Sequence, residues 1–207
     1  MEPTKSEVAV CKFMSEYSAE RIEKIECLTW DLLSEVYGKE PVVPPIDLNR
    51  VANYLGLEIW QGSFQDERIV GAYDKTERTI YLAEDIPYVR KAFTMGHEIG
   101  HFLLHEQRPK ETFYRCDMDA VEEENKLEEQ EANWFSASLL MPRRVVRSLW
   151  LATKDSTEVA RMCGVSSLAA HYRLANLGLL SFIEGKLLTV NEMVRRAVNI
   201  CYPQRKQ

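Results

Sequence analysis

The sequence predicts an α+β fold in which a small antiparallel sheet packs on a helical core, with a helix-turn-helix-like region at the C-terminal end. Two observations carry this reading. Apolar residues recur three or four apart over most of the chain, but between Leu57 and Ala83 they fall into short runs of strand type. Gly and Pro mark the borders between these stretches. At 207 residues the chain is long enough to bury a core of its own, and its length suits one domain or one domain with an appended module.

The elements follow in order. Ser15 to Tyr37 reads as a helix, with Ile22, Ile25, Leu28, Leu32, Leu33 and Val36 on one side, ended by Gly38 and Pro41. Asp47 is placed to cap a second helix carrying Leu48, Val51, Ala52 and Leu55 before Gly56. Three strands are expected at Leu57–Trp60, Ile69–Tyr73 and Thr79–Leu82, the last two joined by the polar turn Asp74–Glu77. Asp85 and Pro87 suit the start of a helix running through His97 to about Glu106. The acidic segment 117–131 reads as a solvated helix face or a mobile loop, and a helix continues to Leu140, where Pro142 stops it. Beyond Arg143 the pattern is helical again, with Thr157–Met162, Gly164 and Ser166–Asn176 in helix-turn-helix outline before a short segment from Leu179 to Val190. The expected division is an N-terminal helical extension over 1–40, a core over 41–150 and a C-terminal helical region over 151–207.

Composition narrows the classes of function. A net charge of −6 gives no general attraction to nucleic acid. Charges at Glu2, Lys5, Glu7 and Lys12 interrupt any signal-peptide pattern, and no apolar run reaches the roughly 20 residues of a membrane span. The five cysteines are odd in number, scattered and without a C-x-x-C pair, which points to free thiols in a reducing compartment. A cytoplasmic protein is expected.

One motif carries chemistry: His97-Glu98-Ile99-Gly100-His101. Residues four apart on a helix differ by about 40° in direction and about 6 Å in rise, so both imidazoles can reach one zinc ion. Glu98 lies about 100° around the helix, where it can take a proton from a water at the ion and pass it to a leaving amine. Such a pattern also arises by chance. Its position on a helix directly after a sheet, flanked by Gly96 and Gly100, argues for a site.

A catalytic zinc needs a third protein ligand. His105 lies about 12 Å along the same helix from His97, too far for one ion, and reads as a surface or core-edge histidine. The helix ending at Leu140 buries Ala132, Phe135, Ser136, Leu139 and Leu140, with Glu129 at the edge of that face. Glu129 is the favoured ligand, while helical phase alone leaves Glu128 open; Glu131 points away and reads as solvated. Asn133, one turn after Glu129, is placed to accept a hydrogen bond from a liganding histidine. Tyr114, His171 and Tyr172 are candidate donors to an oxyanion, each with an equally ordinary role at the surface or core edge. Thr79–Leu82 is either a sheet edge that could hold an extended substrate or plain core.

Two blocks, Phe93-Thr94-Met95-Gly96-His97-Glu98-Ile99-Gly100-His101-Phe102-Leu103-Leu104-His105 and Glu129-Gln130-Glu131-Ala132-Asn133-Trp134-Phe135-Ser136-Ala137-Ser138-Leu139-Leu140-Met141-Pro142, resemble the ImmA/IrrE family of metallo-endopeptidases. The likeness spans roughly Pro41 to Leu180; Met95, Ser136 and Ser138 are mild departures from the pattern. The resemblance implies a gluzincin-like core, one zinc ion held by His97, His101 and Glu129, and Glu98 as the catalytic glutamate. It also implies a regulatory protease that cleaves a helix-turn-helix repressor encoded nearby, in mobile elements or stress responses. The alternative is a repressor- or DNA-binding module that acts without proteolysis through Ser156–Asn176. Arg161 and Arg173 are the only basic residues in that stretch, which falls short of a phosphate-binding stripe. The Arg195-Arg196 and Arg205-Lys206 tail reads as a solvated end.

Overall fold

Strands form in the central stretch and helices on either side of it in the computed structural model, which describes residues 19–105, 112–115 and 126–180. Helix α1 (Ala19–Tyr37) buries Ile25, Leu32, Leu33 and Val36, members of the expected apolar stripe. Residues 15–18 of the expected helix lie outside the described residues. In α2 (Leu48–Leu55) the Asp47 carboxylate accepts from the Arg50 N–H at 3.1 Å, and Gly56 at φ +67° closes the other end.

The sheet comprises β1 (Glu58–Gly62), β2 (Gly71–Asp74), β3 (Thr79–Ala83) and β4 (Thr112–Arg115), in the order β1-β3-β2-β4. It is mixed rather than wholly antiparallel. The β2–β3 and β2–β4 pairs are antiparallel, but β1 runs parallel to β3, with Ile59 opposite Ile80. The more apolar hairpin strands take the centre, burying Ala72, Tyr73, Ile80 and Leu82. β1, with Glu58, Trp60 and Gln61 exposed, is left at a margin. Thr79–Leu82 is therefore interior and packs as core, and β1 and β4 are the outer of the described strands.

Helix α3 (Tyr88–His105) lies against β2 and β3 and packs along α4 (Lys126–Leu140). Helices α5 (Arg143–Thr153), α6 (Ser156–Cys163) and α7 (Ser167–Asn176) follow, the last two giving the helix-turn-helix outline around Gly164. One apolar cluster runs from Ile25 of α1 through Ile99, Phe135 and Leu174 to Leu180. The segment beyond 180, with its basic tail, and the acidic stretch up to 125 lie outside the described residues.

A buried ion pair ties the first described helix to the last. Arg173 of α7 is 1% exposed and donates through Nη1 to Glu26 Oε1 at 2.5 Å and through Nη2 to Oε2 at 2.9 Å. Trp134 Nε1 and Ser138 Oγ of α4 also donate to Glu26 Oε1, while Arg173 Nε donates to the Met141 carbonyl. Burial alone would push the Glu26 carboxyl up. The Arg173 guanidinium, with Ser138 and Arg143, outweighs burial and holds it below its ordinary 4.5. The stabilisation is thus complete above that ordinary value and fades as pH falls through the lower folded one.

Removing one partner of such a pair leaves the other charge buried. Glu26→Leu is expected to cost about 3–5 kcal/mol in urea unfolding at neutral pH. The double variant Glu26→Leu/Arg173→Met should regain most of that loss. A single variant as stable as wild type would show that the pair is solvated.

Candidate metal centre

The site is built where α3 and α4 approach closely and antiparallel. A Cβ on Gly100 would lie 3.1 Å from Ala132 Cα and 3.2 Å from Phe135 Cβ, and one on Gly96 would lie 2.7 Å from Ser136 Oγ. Hydrogen at both positions permits this approach without displacing Ser136, Ala132 or Phe135. On the other side of α3, a Cβ on Gly71 of β2 would overlap the Thr94 methyl. Strand and helix thus grip α3 along the stretch from Thr94 to Phe102, all of it buried.

This packing brings His97, His101 and Glu129 together. Glu129 Oε2 lies 3.2 Å from His97 Nε2, and Oε1 lies 3.2 Å from His101 Nε2. The two Nε2 atoms are 2.9 Å apart. One ligand atom from each residue lies within 4.8 Å of the others, so the three could hold a metal ion. Both histidines are 1% exposed.

The far side of each ring tests whether an ion fits. His97 Nδ1 donates to Asn133 Oδ1 at 3.0 Å, the contact expected of Asn133. His101 Nδ1 meets His105 Nδ1 at 3.1 Å. With acceptors on the Nδ1 sides, the Nε2 atoms are the ones that face Glu129, and a cation suits two imidazole lone pairs beside a carboxylate. Burial pushes the Glu129 carboxyl up, but the hydrogen bonds and charges of His101 and His97 hold it well below the usual carboxylate range. The site therefore offers an ionised oxygen ligand.

Two residues depart from the sequence reading. His105 is buried, at 5% exposure, because it sits one turn beyond His101 on the same α3 face, under α4. Burial lowers its pKa from 6.5, with the hydrogen bond to Glu131 opposing that shift. Glu131 is half-buried rather than solvated: it accepts from His105 Nε2 at 3.0 Å and from Arg21 of α1 at 2.7 and 2.5 Å. Burial raises the Glu131 carboxyl, and Arg21 and His105 more than offset this. α1 covers the flank of α4 that helical phase alone assigned to solvent. Glu128, left open by phase, is buried.

Glu98 is fully buried, on the side of α3 facing β2, where a Cβ on Gly71 would lie 3.4 Å from its Oε1. Tyr172 lines a cavity together with Asn133, and His171 is half-buried on α7. The Tyr114 backbone pairs with Ala72, and its side chain lies outside the described part of the structure. Of the cysteines described, Cys27 is exposed and Cys163 is buried, its thiol pushed up to about 11 by burial.

A mixed sheet backs two helices that bring two histidines and a glutamate together, a set that could hold a metal ion. Residues 52–175, more than half of the chain, match the peptidase family described as the IrrE N-terminal-like domain, and the chain belongs to that family. A relative from Bacillus phage phi105, an uncharacterized immunity region protein 2, is 26% identical over 125 residues, covering 59% of this chain and 76% of the relative. A Mycobacterium tuberculosis transcriptional regulator shares the fold with a TM-score of 0.54 at 16% identity, over 81% of this chain. This chain spans 51% of that protein's length. No helix among the described residues is long and apolar enough to cross a membrane.

Gly100→Val is expected to force α3 and α4 apart and to cost about 1–3 kcal/mol, with weaker metal retention. Gly62→Ala, where nothing lies within 4 Å of the added carbon, serves as control. Unfolding curves with and without chelator check both, and equal stability of the Val variant would contradict the packing account.

Proposed function

We propose that the chain is a zinc-dependent endopeptidase that cleaves a regulatory protein, a helix-turn-helix repressor, in the cytoplasm. The observation that carries this reading is the convergence of His97, His101 and Glu129 on α3 and α4. Glu98 stands next to the first of these ligands in the chain and against β2. Two imidazoles and one carboxylate suit zinc and leave a fourth position open. When bound, the ion would polarise the scissile carbonyl and acidify a water.

The chain's own residues would do the rest. Glu98 would take the proton from the attacking water and return it to the leaving nitrogen. Asn133 would hold the His97 ring in place by accepting from its Nδ1. An extended substrate could add along β4, the outer strand next to β2. A cavity of ≈ 390 Å³ that reaches Asn133 is lined by Phe93, Trp134, Met141, Val165, Leu168 and Tyr172 among others, and suits an apolar substrate side chain. The immunity-region name of the phage relative supports a regulatory rather than a digestive role.

A second reading, a repressor- or DNA-binding module that does not cut, rests on the helix-turn-helix outline of α6 and α7. Its two arginines are already engaged: Arg173 lies buried against Glu26, and Arg161 pairs with Glu158. That leaves this reading with little charge for phosphate.

Co-expression of wild type and Glu98→Gln with repressors encoded beside the gene separates the two. Intact-mass analysis should show two fragments with wild type, and a cleavage rate roughly 10²–10⁴-fold lower with Glu98→Gln. No cut by either form, or the same regulatory effect from both, would contradict proteolysis.

A further inference from the structure

The hydrogen bonds behind His101 run unbroken to the surface of α1. Arg21 donates through Nε to Glu131 Oε1 at 2.7 Å and through Nη2 to Oε2 at 2.5 Å. A guanidinium only donates, so this fork requires Glu131 as a carboxylate, which only accepts. His105 Nε2, 3.0 Å from Glu131 Oε2, must then be the donor. A neutral imidazole that donates through Nε2 presents a lone pair at Nδ1. His101 Nδ1 lies 3.1 Å from His105 Nδ1, and with His105 neutral the proton of that contact belongs to His101.

We propose that His105, held by Glu131 and Arg21, is a positioning residue that locks His101 in its Nδ1–H form and so turns the Nε2 lone pair toward the metal. His105 is 5% exposed and its ring lies 5.2 Å from that of His101, centroid to centroid. It touches the ligand without being one. Asn133 gives His97 an equivalent acceptor from α4, so the two ligand rings are set by different devices. Arg21 precedes the family-matched stretch 52–175. The metal centre thus draws its outermost support from α1.

This inference rests on the metal site and not on the peptidase reading, so its test reads metal affinity. Zinc binding to the full chain is measured by competition with a chromogenic chelator, and cobalt(II) substitution reports the ligand field. His105→Leu keeps bulk but removes the acceptor, and should weaken binding roughly 10–100-fold and alter the cobalt(II) visible band. His105→Gln supplies an amide oxygen, as Asn133 does for His97, and should restore most of the affinity and the band. Arg21→Leu should weaken binding several-fold, and because its side chain is 39% exposed it carries the test if His105→Leu fails to fold. Melting midpoints of the metal-free forms check folding. Zinc affinity unchanged in His105→Leu, or no better in His105→Gln than in His105→Leu, would overturn the proposal. Failure of wild type to bind zinc would overturn it together with the metal site.

Discussion

The separation of α3 and α4 governs the candidate metal centre. Glu129 faces His97 and His101 because Gly96 and Gly100 let two antiparallel helices approach until the Ala132 backbone and Ser136 fill the space a side chain would take. At an ordinary spacing the carboxylate would fall short of both rings. The same contact sets Asn133 opposite His97. Geometry at the three candidate ligands is therefore a property of the helix pair.

That pair is held from outside by charge. α1 reaches α4 at two points, through Glu26 to Trp134 and Ser138 and through Arg21 to Glu131. The first contact also holds Arg173 of α7. Buried ion pairs add little net stability over apolar packing, but they tolerate few alternative arrangements. In this chain they fix how the first and last described helices meet the site.

Much of this was legible in the sequence. The helices announce themselves by period, by Asp47 as a cap and by Gly56 as a stop, and the α+β class follows from the strand runs between them. Four-residue spacing brought His97 and His101 together, phase favoured Glu129 without excluding Glu128, and the family resemblance chose between them. What escaped was set by partners remote in the chain. Glu131 read as solvated because phase within its own helix could not show α1 lying over it, and His105 read as a surface or core-edge residue because spacing along α3 could not show α4 covering it. Thr79–Leu82 stayed open between edge and core because nothing local tells which strand a short run will pair with. Parallel pairing of β1 was equally invisible, and β4 is a four-residue strand beside an acidic tract with too little alternation to declare itself. The basic tail and the end of the Leu179–Val190 segment fall outside the described residues.

The family match over residues 52–175 gives the family and the mycobacterial regulator the fold, while the geometry of the candidate ligands gives the chemistry to be tested. X-ray absorption at the zinc edge of the zinc-loaded full chain addresses this most directly. The account predicts one zinc per chain with two imidazole nitrogens and carboxylate oxygen in its inner sphere, and loss of the oxygen scatterer in Glu129→Ala. A sulfur scatterer, a third imidazole, or a spectrum unchanged in Glu129→Ala would contradict it.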